Sequence, residues 1–207
     1  QVELAAAYRI ASDLGWDEVI FNHISVRVPG TADEFLINPF GLRFDEVTAS
    51  SLIKVNSKGK VIDPGTSDFG FNWAGFIIHG AIHDARSDVN CVFHTHDKDM
   101  QAVANMKCGL LPLSLEACSC LRHTSKTSHD FFGITTDERE RPALIKALGL
   151  ESKILFLKNH GTIACGSTIA EAFYMMYTLS RACMHQVTTL SAVGGNLSQL
   201  YIPEEKV

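Results

Sequence analysis

The sequence predicts an α/β domain in which a β-sheet is covered by helices on both faces. Three observations carry this reading. Segments with helical spacing alternate with short apolar or alternating segments, and no repeat of about 20 to 50 residues recurs along the chain. Val89 to His96 is a short run, apolar from Cys91 to Phe93 before its closing histidines, and reads as a strand buried on both faces. At 207 residues, with 46% hydrophobic and 20% charged residues, the chain is expected to form a single packed domain over residues 1–207.

Taken in order, Leu4, Ala7, Tyr8, Ala11 and Leu14 repeat at helical spacing, and Gly15 ends that helix. Val19 to Val28 alternates and closes at Pro29-Gly30, so it reads as a strand; Phe35 to Asn38 is a second, stopped by Pro39. Residues 52 to 62 read as a hairpin around Asn56-Ser57-Lys58-Gly59. Ala74, Ile77, Ile78, Ala81, Ile82 and Ala85 mark a second helix. After the buried strand, the pattern predicts a helix over Asp99 to Met106 and a strand over Leu110 to Ser114. Residues 115 to 135 are polar and aperiodic and read mostly as loop. A helix is expected over Asp137 to Ala147, with strands over Ile154 to Leu157 and Thr162 to Cys165. Thr168 and Glu171 form a capping box that opens a long helix running to about Leu190, before Gly194-Gly195.

Charge narrows the function classes. The net charge is −5 and no block of five basic residues occurs, so nucleic acid and anionic membrane surfaces are poor partners. No stretch approaches the roughly 20 apolar residues that a membrane crossing needs. Six cysteines without the dense spacing of a small secreted scaffold point to a reducing, cytoplasmic setting. The chain starts at Gln1, so trimming at the N-terminus is expected, and the lack of a targeting signal or tail carries no weight.

The chemistry concentrates in histidines. In a strand, side chains at i and i+2 share a face, so His94 and His96 project together at the end of a buried strand. Two imidazoles there can bind one divalent ion, and a catalytic zinc usually takes a third protein ligand. His160, where the apolar strand Ile154 to Leu157 runs into a glycine turn, is the candidate third. His79 and His83 have the i, i+4 spacing of helical zinc ligands. On a helical wheel both fall well away from the apolar face, so they are expected to be partly exposed. Cys118 and Cys120 form a soft pair with no second pair at zinc-ribbon spacing, which favours two small buried thiols.

In order, N-H-I-S-V-R (22–27), L-I-N-P-F-G (36–41), A-G-F-I-I-H (74–79), H-T-H (94–96), M-K-C-G-L-L-P (106–112), H-D-F-F-G (129–133) and K-N-H-G (158–161) resemble the class II aldolase/adducin family over nearly the whole chain. Several pieces are more similar to the adducin head domain than to the sugar-phosphate aldolases. The resemblance implies a three-layer α/β/α fold around a mixed, largely antiparallel sheet, and a homotetramer with sites between subunits. It implies a zinc ion, or another divalent metal, on His94, His96 and His160, acting as a Lewis acid toward the hydroxyl-carbonyl end of a substrate. Substrate contacts are expected from Asn22, His23, Asn38, Gly41 and His129.

Departures from the aldolase pattern shape the functional expectation. Nineteen residues before the first metal histidine those aldolases resemble one another in a glutamate that acts as ligand and acid/base; this chain has Gly75, which can do neither. Their phosphate-binding positions correspond here to Asn22-His23, Phe40-Gly41 and Trp73-Ala74, so a sugar phosphate is a poor substrate. Glu116 falls near an aldolase tyrosine close to the metal and is the candidate general acid/base. The expected activity is a zinc-dependent lyase, by retro-aldol cleavage or decarboxylation, acting on a small non-phosphorylated hydroxy- or keto-acid or aldehyde. The competing expectation is a non-enzymatic, adducin-like module for oligomerisation or for binding actin and spectrin.

Overall fold

The structure, a computed structural model, describes residues 1–130, 133 and 138–203. The described strands are β1 (His23–Arg27), β2 (Glu34–Ile37), β3 (Ile53–Asn56), β4 (Val61–Asp63), β5 (Cys91–Thr95), β6 (Ile154–Leu157) and β7 (Gly161–Gly166). The described helices are α1 (Val2–Asp13), α2 (Trp73–Ala85), α3 (Lys98–Ala104), α4 (Leu115–Leu121), α5 (Arg141–Leu148) and α6 (Ile169–Ala192).

One seven-stranded sheet in the order β4-β3-β2-β1-β5-β7-β6 runs through the middle, and every neighbouring pair of these strands is antiparallel. The parallel component is confined to two isolated bridges, Thr124 to Ile154 and His129 to Leu157. Strand alternation sorts the two cores. Ile24 of β1 and Cys91 and Phe93 of β5 point into a core built with α1, α3, α4 and α6. Val92 points the other way, into a core with Ile78 and Ile82 of α2 and Leu144 and Leu148 of α5. Since β-strand side chains alternate, His23, Ser25 and His94 share the α2 side of the sheet. His23 and His94 are direct partners across β1 and β5.

Several expected elements differ. Residues 110–114 form no strand; Ser114 instead caps α4, its Oγ accepting from the Ala117 amide at 3.1 Å, and 115–121 is helix rather than loop. Seven residues are too few for periodicity to register. The strand expected over Val19 to Val28 begins only at His23, because residues 19–20 are a turn with Val19 at φ 53°. The helix α5 follows a 3-10 turn at 138–140, and Asp137, its expected start, lies outside the described residues. Phe131 and Phe132 of the H-D-F-F-G stretch also lie outside them.

Helix α2 departs most. It starts at Asn72, whose side chain accepts from the Gly75 amide, and every residue from Gly75 to His83 is buried. A helix enclosed on all sides needs no single apolar stripe. His79 and His83, expected to be partly exposed, are 1% and 2% exposed.

Candidate metal centre

Two turns bring the histidine trio together. β5 carries His94 on its α2 side and ends at Thr95, leaving His96 just beyond. Between β6 and β7 the chain turns through Asn159 in a left-handed conformation (φ 55°), which asparagine tolerates better than most residues. Gly161 then passes so close to β5 that a Cβ there would lie 2.5 Å from the Thr95 carbonyl oxygen. Without that glycine His160 could not sit over His96. The three rings form a near-equilateral triangle with centroids 4.8 Å apart, and one nitrogen from each lies within 4.8 Å of the other two.

Hydrogen bonds behind the rings set their tautomers. A carbonyl only accepts, so His94 Nδ1–H donates to Thr162 O at 2.9 Å. His96 Nδ1–H donates to the Glu18 carboxylate at 2.5 Å. The Nε2 atoms of the two rings face each other 2.9 Å apart. Either a shared proton or a divalent ion satisfies two nitrogens so placed, and three imidazoles are a donor set that zinc takes readily. The outer partners, a carbonyl and a carboxylate, are those that orient metal-bound histidines. Burial, followed by the neighbouring rings, holds His94 well below the usual imidazole range and His160 at about 4, so both keep lone pairs available near neutral pH.

The trio opens on a cavity of about 340 Å³ walled by Phe21, Phe40, Ala74, Gly75 and Ile78, with His23 and Asn72 as further polar groups. No lysine or arginine occurs among its described lining residues. A groove of about 720 Å³ lies elsewhere, between Val103–Gly109, Ser125–Ser128 and Lys158-Asn159, and includes none of the three histidines.

The expected substrate residues divide. His23 lines the cavity, 3% exposed and stacked on His94 with centroids 4.9 Å apart. Asn22 is turned into the protein: its amide donates to Trp16 O and Thr95 Oγ1 and accepts from the His96 amide, so it anchors the end of β5. Asn38 accepts from the buried Tyr8 hydroxyl at 2.9 Å and does not line the cavity. Gly41 (φ 151°) packs against the Phe69 ring, leaving Phe40 to form the wall. His129 sits beside β6 with Nε2 2.7 Å from Glu140. Glu116 stands in the first turn of α4, outside this cavity, its carboxylate 3.7 Å from His185 on α6.

Residues 2–187 match the family model described as the class II aldolase and adducin N-terminal domain. The chain belongs to this family. Alpha-adducin of Rattus norvegicus is 48% identical over 193 residues, which are 93% of this chain and 26% of that protein. The chain thus spans about a quarter of the length of the alpha-adducins that it matches. Among solved structures, an aldolase II superfamily protein from Pseudomonas syringae is 40% identical with a TM-score of 0.93, over 99% of this chain and 80% of that one. An L-fuculose 1-phosphate aldolase from Glaciozyma antarctica is 31% identical with a TM-score of 0.83, over 98% of this chain and 76% of that one. Membership of this family accounts for the three-layer architecture.

Some of the arrangement had no signal in the sequence. Glu18 is an ordinary acidic residue beside a turn until the fold sets it against His96. Ser25, His79 and His83 meet behind His23 only once α2 lies on β1: His23 Nδ1 is 2.7 Å from His79 Nε2, and Ser25 Oγ is 2.6 Å from His79 Nδ1 and 2.8 Å from His83 Nε2.

Proposed function

We propose that the chain is a metal-dependent carbon-carbon lyase acting on a small non-phosphorylated hydroxy- or keto-acid or aldehyde, by retro-aldol cleavage or decarboxylation. The observation that carries the reading is the convergence of His94, His96 and His160 on one point, with His94 and His96 each oriented by a hydrogen bond from its own Nδ1–H. A divalent metal on these three residues, zinc first, supplies the Lewis acidity that stabilises negative charge developing on a bound carbonyl oxygen.

The chain's own groups favour a small substrate. Phe21, Phe40 and Ile78 give the cavity apolar walls, and about 340 Å³ without a described cationic wall offers a phosphate nothing to pair with. Gly75 moves no proton. Glu116 can serve as acid/base only if a second copy of the chain presents it to the cavity, which accords with a homotetramer whose sites lie between subunits. Asn22 and Asn38 position the cavity rather than touch the ligand, and His129 acts from the β6 edge. A cytoplasmic setting belongs to the same reading, since all six cysteines are free.

The likeness to alpha-adducin favours a second reading, an oligomerisation or cytoskeletal module with a structural or vestigial metal site. Metal content per chain, measured on freshly purified protein and on His160→Ala, tests the site first, and turnover by the metal-loaded protein then separates the lyase from a module with a structural metal. Close to one metal per chain, lost in the variant, supports the lyase and leads to a screen of small keto-acids and hydroxy-aldehydes. A metal-free, intact oligomer supports the module.

A further inference from the structure

A one-way hydrogen-bond relay runs from the cavity wall into the α2–sheet interface, and its direction follows from its far end. Val89 O can only accept, so His83 Nδ1 carries a proton and donates to it at 3.4 Å. His83 Nε2 is therefore bare and takes the single proton of Ser25 Oγ at 2.8 Å. The Ser25 oxygen then accepts from His79 Nδ1–H at 2.6 Å, which leaves His79 Nε2 bare to accept from His23 Nδ1–H at 2.7 Å.

This direction requires three neutral rings, and their surroundings supply them. None forms an ion pair with a carboxylate among the described residues, and the small void beside Ser25, His79 and His83 has no room for a water molecule. A buried imidazolium without counter-charge or water is strongly disfavoured.

The relay ends at His23 Nε2, bare and lying where a side chain at position 75 would begin: a Cβ on Gly75 would fall 2.2 Å from it. Gly75 and His23 thus share one space, and the histidine holds it. We infer that His23 Nε2 is a fixed hydrogen-bond acceptor in the cavity, locked in that tautomer by His79, Ser25 and His83, and that it selects ligands carrying a hydroxyl next to their metal-binding oxygen. The relay stands on geometry alone, whereas the hydroxyl selection rests on the lyase reading. His23 would touch the ligand; His79, Ser25 and His83 are positioning residues acting through it.

Long-range proton–nitrogen spectra of full-length protein labelled with nitrogen-15 histidine read the tautomers directly, with and without zinc. Expected are protonated Nδ1 and bare Nε2 on His23, His79 and His83, with His23 losing its single tautomer in Ser25→Ala. A proton on His23 Nε2 in the unmutated protein overturns the inference. Glycolate and acetate then serve as probes of the zinc-loaded protein by calorimetry. His23→Leu is expected to weaken glycolate about tenfold, the size of one lost hydrogen bond, with acetate unchanged, and His23→Asn to recover part of the loss. Equal changes for both probes overturn the acceptor role. A protein that takes up no zinc ends the lyase reading, and the tautomer spectra still decide the relay.

Discussion

Replacing Gly75 by alanine tests the shared space at its smallest scale. The new Cβ would lie 2.2 Å from His23 Nε2 and 2.4 Å from Cδ2, both at least an ångström inside the 3.4 Å at which ordinary contact begins. The ring has little freedom to retreat: it is 3% exposed, bonded through Nδ1 to His79 at 2.7 Å and stacked on His94. Overpacking of this kind, or breaking the His79 bond to relieve it, costs about 1–3 kcal/mol. Alanine's helical preference offsets at most about 1 kcal/mol. The net expectation is a loss of about 1–2 kcal/mol, or roughly 0.5–1 M off the urea midpoint.

In a His23→Ala background the ring is gone, and the same substitution should be neutral or stabilising by up to about 1 kcal/mol. Urea unfolding of the four metal-free proteins, at one protomer concentration so that assembly contributes equally, gives the coupling energy. It should be about 1–3 kcal/mol. Gly75→Ala costs that agree within about 0.5 kcal/mol in the two backgrounds would refute the claim that His23 and position 75 compete for one volume.

Two further outcomes can be measured. Val19 holds φ 53° while 63% exposed, a conformation that costs a β-branched residue about 1–2 kcal/mol and that asparagine tolerates. Val19→Asn should therefore raise the thermal midpoint by about 2–4 °C, and an unchanged or lower midpoint would remove strain from that turn. Burial, followed by the Arg27 charge, lowers His83 from 6.5 to about 3. As pH falls below 6.5 the unfolded chain takes up this proton first, so the histidine's contribution is lost progressively from pH 6.5 toward 3. Between pH 7 and pH 5 that amounts to about 2 kcal/mol. His83→Asn should flatten this part of the stability profile, and an equally steep profile in the variant would contradict the assignment.

Much of the centre could be read from the chain because its signals are local. Two-residue spacing at the end of an apolar run puts His94 and His96 on one face, and their Nε2 atoms converge at 2.9 Å. His160 could be nominated because a strand running into a glycine turn is also a short-range pattern. Helix α2 shows the limit of such reasoning. A wheel drawn on its apolar residues sends His79 and His83 outward, yet the helix lies between the sheet and α5 with both histidines buried. Hydrogen bonding to Ser25 makes that burial tolerable, and no pattern within residues 73–85 contains Ser25. Glu116 illustrates the opposite case: its place after Pro112 aligned it with a position near the metal, while the α4 cap at Ser114 sets it in an exposed first turn facing His185.

The family, the sheet-and-helix alternation, the two-histidine face and the missing carboxylate at Gly75 were all legible in the chain. Each is a matter of residue identity and short spacing. Tertiary structure alone decided that His23 fills the space beside Gly75, that Glu18 backs His96, and that Ser25, His79 and His83 line up behind the cavity. Periodicity says which side chains share a face. It does not say which face meets which, and that is set here by the pairing of His23 with His94 across β1 and β5 and by the seat of α2 on that side of the sheet.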